Sequence, residues 1–145
     1  MSTIRVKKLH ENAILPTYGS TEAAGADLYA CLEEEITVKP GETVWIPTGL
    51  SMEIPKGCAG LVYARSGLAC KKGLAPANKV GVIDSDYRGP VTVVLHNHGT
   101  QEQKIAHGER IAQMVITPIL TPAYELAEEL SDTGRGQGGF GSTGK

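Results

Sequence analysis

Residues 43–57 read TVWIPTGLSMEIPKG. The stretch holds two β-rich runs, Thr43–Ile46 and Leu50–Ile54, and Pro55-Lys-Gly57 closes it with a turn signal. The same pattern repeats outward in both directions. Ile4–Val6, Ile36–Val38 and Val91–Leu95 are further runs of β-branched and apolar residues. Pro40-Gly41, Lys72-Gly73, Arg88-Gly-Pro90 and His98-Gly99 punctuate them. Short strands and turns at this pace predict an all-β architecture, a compact sandwich or barrel. Helix has one clear candidate, Ser66–Gly73, with Ser66 as N-cap and Gly73 ending it. Tyr124–Leu130 is ambiguous: its Glu and Leu favour helix, but the preceding Pro122 and the strand-rich context leave it undecided.

At 145 residues, with 41% hydrophobic and 21% charged side chains, the chain suits a single domain with a core. A net charge of −2 argues against a surface built to bind nucleic acid, yet allows a local cluster of donors for a small anion. Three cysteines, Cys31, Cys58 and Cys70, are an odd number without metal-ligand spacing, so a reducing compartment fits best. Met1–Leu9 has no hydrophobic signal core, and no apolar run is long enough to span a bilayer. The expectation is a soluble, cytoplasmic protein that engages no membrane.

The composition changes at Ser131. Residues 131–145 are rich in glycine and cannot form a core of their own. A disordered tail is one reading. The other starts from Arg135, Phe140, Ser142 and Thr143, set among those glycines. A guanidinium, hydroxyls and freed backbone amides make a polyphosphate cradle on a mobile arm. The division expected is therefore a β domain over 1–130 and a closing arm over 131–145.

Four segments of the body carry chemistry. Ala24–Ala30 sets Asp27 among small apolar residues, where it is either a turn aspartate or a site carboxylate. Arg65–Ala69 follows a strand, Leu61–Ala64, and places Arg and Ser at a helix start. That suits either anion binding or plain capping with a surface ion pair. Gly81–Gly89 follows a hairpin-like stretch, Pro76–Lys79, and holds Asp84, Asp86, Tyr87 and Arg88. It is either a site whose carboxylate polarises water or an acidic loop around a partly buried Tyr87. In Gly108–Gln113, Gln113 interrupts an apolar run, so it faces solvent or serves a polar site.

Taken in order, and with Arg135–Gly144, these segments resemble the five motifs of the trimeric dUTPase family. The resemblance runs from about Ile14 to Lys145. Ala64 and His107 depart from it, each standing where the family has proline, and Gly73–Lys79 is idiosyncratic. Such a resemblance implies a jelly-roll-like β-clip fold with one short helix and a flexible Gly-rich arm. It implies hydrolysis of dUTP to dUMP and pyrophosphate by water attack on the α-phosphorus, which limits uracil in DNA and supplies dUMP for thymidylate synthesis. Asp84 matches the water-activating carboxylate. Arg65, Ser66, Gly67 and Gln113 match phosphate-contacting positions. Asn78, Gly81, Val82 and Ile83 lie in the segment that presents backbone groups to uracil, and Tyr87 matches the residue that packs on deoxyribose. Arg135, Gly141, Ser142 and Thr143 match the arm, and Phe140 its base-covering aromatic. Mg²⁺ is implied as an ion bound through the triphosphate, with Asp27 acting on it through water and no direct protein ligand. A homotrimer with shared active sites is implied as well.

Two rival readings stand beside it. The related dCTP deaminase needs a glutamate near Arg65–Ala69, and none is there. A nucleotide-sensing module with a decayed site has no reason to keep Asp84, Tyr87, Arg65, Ser66, Gln113, Arg135 and Phe140 together. His96 and His98 share a strand face and can be imagined as a metal pair, but with no third ligand in sight they read as a subunit contact. Trp45 reads as core or interface, and Glu33–Glu35 as a solvated loop.

Overall fold

The computed structural model describes residues 3–141. Eleven strands and one helix follow in chain order: β1 (Arg5–Lys8), β2 (Thr17–Tyr18), β3 (Ala26–Tyr29), β4 (Ile36–Val38), β5 (Thr43–Glu53), β6 (Cys58–Tyr63), α1 (Ser66–Lys72), β7 (Leu74–Pro76), β8 (Gly81–Ile83), β9 (Val91–Asn97), β10 (Gln103–Ile105) and β11 (Arg110–Pro118). They form a four-stranded sheet ordered β1-β5-β9-β7, a five-stranded sheet ordered β2-β3-β11-β6-β8, and a two-stranded ribbon of β10 and β4. Every pairing is antiparallel. The all-β expectation with one short helix is met. Of the chain's consecutive strands, only β2 and β3 lie side by side; every other link changes sheet.

The core lies between the sheets. Along β9 burial alternates, with Val91, Val93, Leu95 and Asn97 inward. Leu28, Val62, Ile111 and Met114 of the five-stranded sheet join Ile46, Leu50, Met52 and Leu95 of the other in one apolar cluster. Burying an aliphatic side chain of this size contributes about 1.5–3 kcal/mol.

The runs Thr43–Ile46 and Leu50–Ile54 fall almost wholly in one strand, β5, interrupted by a bulge between Pro47 and Leu50. Gly49 sits there at φ 69°, and a side chain would meet Ala13 Cβ and Cys31 Sγ at 2.9 Å. Only glycine fits both demands. Thr48, fully buried, repairs the interrupted ladder: its hydroxyl donates to Val91 O (2.7 Å) and accepts from Leu50 N–H (3.3 Å).

Two local expectations need correction. The N-cap of α1 is Arg65, at φ −92° and ψ 133°, and Ser66 is the first helical residue. The helix starts one residue earlier because Ala69 N–H already reaches Arg65 O (2.9 Å). Gly73 does end the helix, in the left-handed region. The stretch around Pro76–Lys79 is no hairpin: β7 pairs with β9 and β8 with β6, so the chain crosses between sheets there. Lys79 takes φ 65° in making that crossing. Residues 124–130, open to either reading, are neither helix nor strand. No helix among the described residues is long and apolar enough to cross a membrane.

Candidate active site

The residues singled out from sequence fall into three groups. The first gathers on the five-stranded sheet. Gln113 of β11 lies in register with Asp27 of β3 on one side and Tyr63 of β6 on the other. Beyond Tyr63 the chain runs through Ala64 into Arg65 and Ser66 at the start of α1. Gly19, Ala23, Gly25, Asp27, Arg65, Ser66, Arg110 and Gln113 line a shallow cleft of about 220 Å³.

Asp27 organises this cleft. It is a strand residue only 9% exposed, so the turn reading fails. Arg65 Nε donates to its Oδ1 at 2.6 Å, and Arg110 Nη1 lies 3.6 Å from Oδ2. One carboxylate thus holds two guanidiniums close together, which would otherwise repel, and leaves the group with net positive charge. Gln113 is half-buried, its Nε2 donating to Ala64 O (2.9 Å). A side chain on Gly25 would displace the Gln113 amide from its place in the cleft. Gly67, next in α1, faces open space.

Arg110 is a functional candidate that the sequence reading did not single out. A bulge between Arg110 and Ala112 sets two residues of β11 against one of β3 and turns Arg110 toward Asp27. Simple alternation along Arg110–Gln113 gives no hint of that.

The second group lines a cleft of about 290 Å³ between β8 and β9, and the two clefts share no residue. Asn78, Gly81, Val82, Ile83, Asp84 and Tyr87 all belong to it. β8 is the outermost strand of its sheet, so one backbone edge pairs with no strand among those described. Asp84 stands exposed just past its end. The loop that follows is braced by its own bonds. Tyr87 N–H reaches Asp84 O (3.2 Å), and Arg88 Nη1 donates to Ser85 O (2.8 Å) and Tyr87 O (2.9 Å). Tyr87 is exposed, its hydroxyl donating to Pro90 O (3.0 Å), so it is not a core residue. Nor is Trp45: it is 72% exposed and stands on the wall of this same cleft, opposite Val94 in the ladder.

The third group is the tail. Among the described residues regular structure ends with β11, and Ile119 N–H to Gly57 O (2.9 Å) ties the chain beyond it to the body. Leu120, Tyr124, Leu126, Leu130 and Phe140 are then exposed. Arg135 Nε donates to Gly138 O, within the tail (2.7 Å). Gly141 is the last described residue, and Ser142 and Thr143 lie outside the described residues. In this single chain the described part of the tail, to Gly141, lines neither cleft.

Of the remaining candidates, the three cysteines are free, and Glu33–Glu35 is exposed, with Glu35 3.2 Å from Lys104. His96 and His98 stand ring to ring, and partial desolvation, Lys79 and His96 together push the His98 pKa below its ordinary value. Among the described residues, no three His, Cys, Asp or Glu converge to hold a metal ion.

Comparison with known proteins bears on this geometry. A family model described as dUTPase matches residues 11–144. A deoxyuridine 5'-triphosphate nucleotidohydrolase of Syntrophotalea carbinolica is 49% identical over 142 residues, covering 98% of this chain and 97% of its own length. One of Desulfitobacterium hafniense is 50% identical over 149 residues, covering 99% of both. Among solved structures, a dUTPase variant of Staphylococcus bacteriophage 80alpha with dUpNHpp superposes with a TM-score of 0.91 at 31% identity, covering all of both chains. A variant dUTPase from phage phi11 of S. aureus, described for its coordination of a structural Mg(II) ion, gives 0.82 at 27%, covering 90% of this chain and all of its own.

Proposed function

This chain belongs to the dUTPase family and hydrolyses dUTP to dUMP and pyrophosphate; we propose that its two clefts divide the substrate, nucleoside in one and triphosphate in the other, as a shared site of a homotrimer. The observation that carries this reading is the separation itself. Asp84 and Tyr87 share a cleft with the unpaired edge of β8, while the cationic group around Asp27 lines another. A single chain holding both halves apart is suited to completing each against a neighbour.

In the nucleoside cleft, backbone donors and acceptors of Asn78, Gly81, Val82 and Ile83 read uracil. A fixed donor and acceptor pattern rejects cytosine, because the mismatched groups would be buried unpaired. Tyr87, anchored through its hydroxyl to Pro90 O, packs on deoxyribose and leaves no room for a 2′-hydroxyl. In the phosphate cleft Arg65 offers its remaining guanidinium donors, Ser66 its hydroxyl, Gly67 an uncrowded backbone and Gln113 its amide. The tail is the arm that closes from a neighbour, with Phe140 over the base and Arg135, Gly141, Ser142 and Thr143 toward the phosphates. Its exposed apolar residues support that role, since they need a surface to cover them.

Asp84 takes the proton of a water as the water oxygen attacks the α-phosphorus. The bond from that phosphorus to the bridging oxygen breaks, and pyrophosphate leaves. Positioning and neutralisation of phosphate charge supply the rest of the rate.

The donor set fits an Mg²⁺ ion that arrives with the substrate. Asp27 is a lone carboxylate already engaged by Arg65, which suits contact through water and not a protein cage. Bound through the triphosphate, the ion supplies charge neutralisation on the phosphates. Three free cysteines suit action in the reducing cytoplasm.

The test is pyrophosphate release from dUTP, dTTP, dCTP and UTP with Mg²⁺, for the unmodified chain and for Asp84→Asn. Release from dUTP alone, falling by about 10²–10⁴ in Asp84→Asn while dUTP still binds, is the expected result. An Asp84→Asn variant that turns over normally removes Asp84 as the base. Tyr87→Ala is expected to accept UTP; unchanged discrimination would take the sugar role from Tyr87.

A further inference from the structure

His96-Asn97-His98, at the end of β9, belongs to neither cleft. The middle residue is 1% exposed, and its amide is fully engaged. Asn97 Nδ2 donates to Val38 O (2.9 Å) and Gln101 O (2.8 Å), and Oδ1 accepts from Gly99 N–H (2.9 Å). Its backbone N–H reaches Glu42 O (3.0 Å), and its carbonyl accepts from Gly41 N–H (2.9 Å). His98 N–H donates to Gly73 O (2.8 Å), at the C-cap of α1. A polar residue satisfied at every atom fixes the backbone on both sides of it.

With Asn97 turned inward, its two neighbours share the outer face. Their imidazole centroids are 4.5 Å apart, with the ring planes inclined at 60°. His96 Nδ1 lies 2.8 Å from Thr43 Oγ1, its partner across the ladder. That bond fixes the ring, and among the described residues Nε2 makes no hydrogen bond. A ligating histidine is typically held in this way, through its second nitrogen. Lys79, nearby, is on an exposed side chain, where water and salt screen its charge.

We propose that His96 and His98 form a two-imidazole site for a divalent transition metal of the zinc, nickel and copper class. Neutral imidazoles suit these ions, whereas Mg²⁺ prefers oxygen. With no third ligand from the described residues, water fills the remaining positions and the site stays open. A metal bound there braces the end of β9 and stabilises the folded state by mass action.

Calorimetric titration of the full chain with Ni²⁺, in buffer that already contains excess Mg²⁺, tests the site. The expected result is one Ni²⁺ per chain and a Tm that rises with Ni²⁺. His96→Ala and His98→Ala each weaken binding at least tenfold and abolish the rise, while both still hydrolyse dUTP. Thr43→Val weakens binding less, by freeing the His96 ring. His96→Asn replaces His96→Ala should the latter not fold. The proposal is overturned if the unmodified chain binds no Ni²⁺, or if either histidine variant binds it as tightly. It is also overturned if Cys70→Ser removes the binding, which would place the ion on that exposed thiol.

Discussion

Replacing Asp27 by Asn removes the charge that Arg65 and Arg110 share. A hydrogen bond to a charged group contributes about 1.5–3 kcal/mol. The Arg110 side chain is 54% exposed, so its share is screened. Asp27→Asn is expected to lower stability by about 1–2 kcal/mol in urea unfolding at fixed protein concentration, and Arg110→Ala by less than about 1 kcal/mol. Both are expected to raise KM for dUTP, since the cationic pair loses its arrangement. Equal stability of Asp27→Asn and the unmodified chain would show that the pair is not held through this carboxylate. Single side chains of this kind are only half legible in a sequence. Arg65, Ser66, Asp84 and Gln113 stand in recognisable local patterns, and each lines a cleft. The local setting of Asp27 among small apolar residues leaves its role open, because its partners lie 38 residues away at Arg65 and further still at Arg110. Trp45 leaves core and interface open from its sequence, and the alternation of β5 rules out the core by turning it outward.

Strand β5 and the turn before it offer a comparison between two glycines with the same backbone demand. Gly41 and Gly49 take φ 78° and 69°, but only Gly49 has neighbours where a side chain would go. Gly41→Ala is expected to cost about 1 kcal/mol for the left-handed backbone alone. Gly49→Ala adds the collision with Ala13 and Cys31, for a total of about 2–4 kcal/mol. Thermal unfolding of the two variants measures the difference, and equal losses would mean that the bulge yields to the added methyl. Elements with a local signature, such as the alternating β9 and the Gly73-capped α1, are legible in the sequence to within a residue or two. The bulge of β5 is not, since apolar runs either side of Pro47-Thr-Gly49 look like separate strands. The partners of β7 and β8 are not legible either, because pairing is decided by strands far away in the chain.

For the molecule as a whole, the tail and the body are expected to separate cleanly in experiment. None of residues 131–141 lines either cleft of its own chain, so the unfolding midpoint should stay where it is when 131–145 are removed. Turnover should fall by about a hundredfold or more, as positioning is lost. Full activity after the deletion would dismiss the arm. Light scattering at micromolar concentration should give three chains, and a monomer would contradict the shared site. The topology has a different consequence, for how the chain is made. β11, the last strand synthesised, is the central one of the five-stranded sheet. Until Arg110–Pro118 has left the ribosome, β3 and β6 have no common neighbour, and each waits with an open edge. Almost every other pairing also joins segments distant in the chain, so folding must close long loops before contacts reward it. A nascent chain stalled short of Arg110 therefore cannot settle into a smaller version of this fold. It leaves unpaired strands available to other chains, and aggregation or degradation is its expected fate.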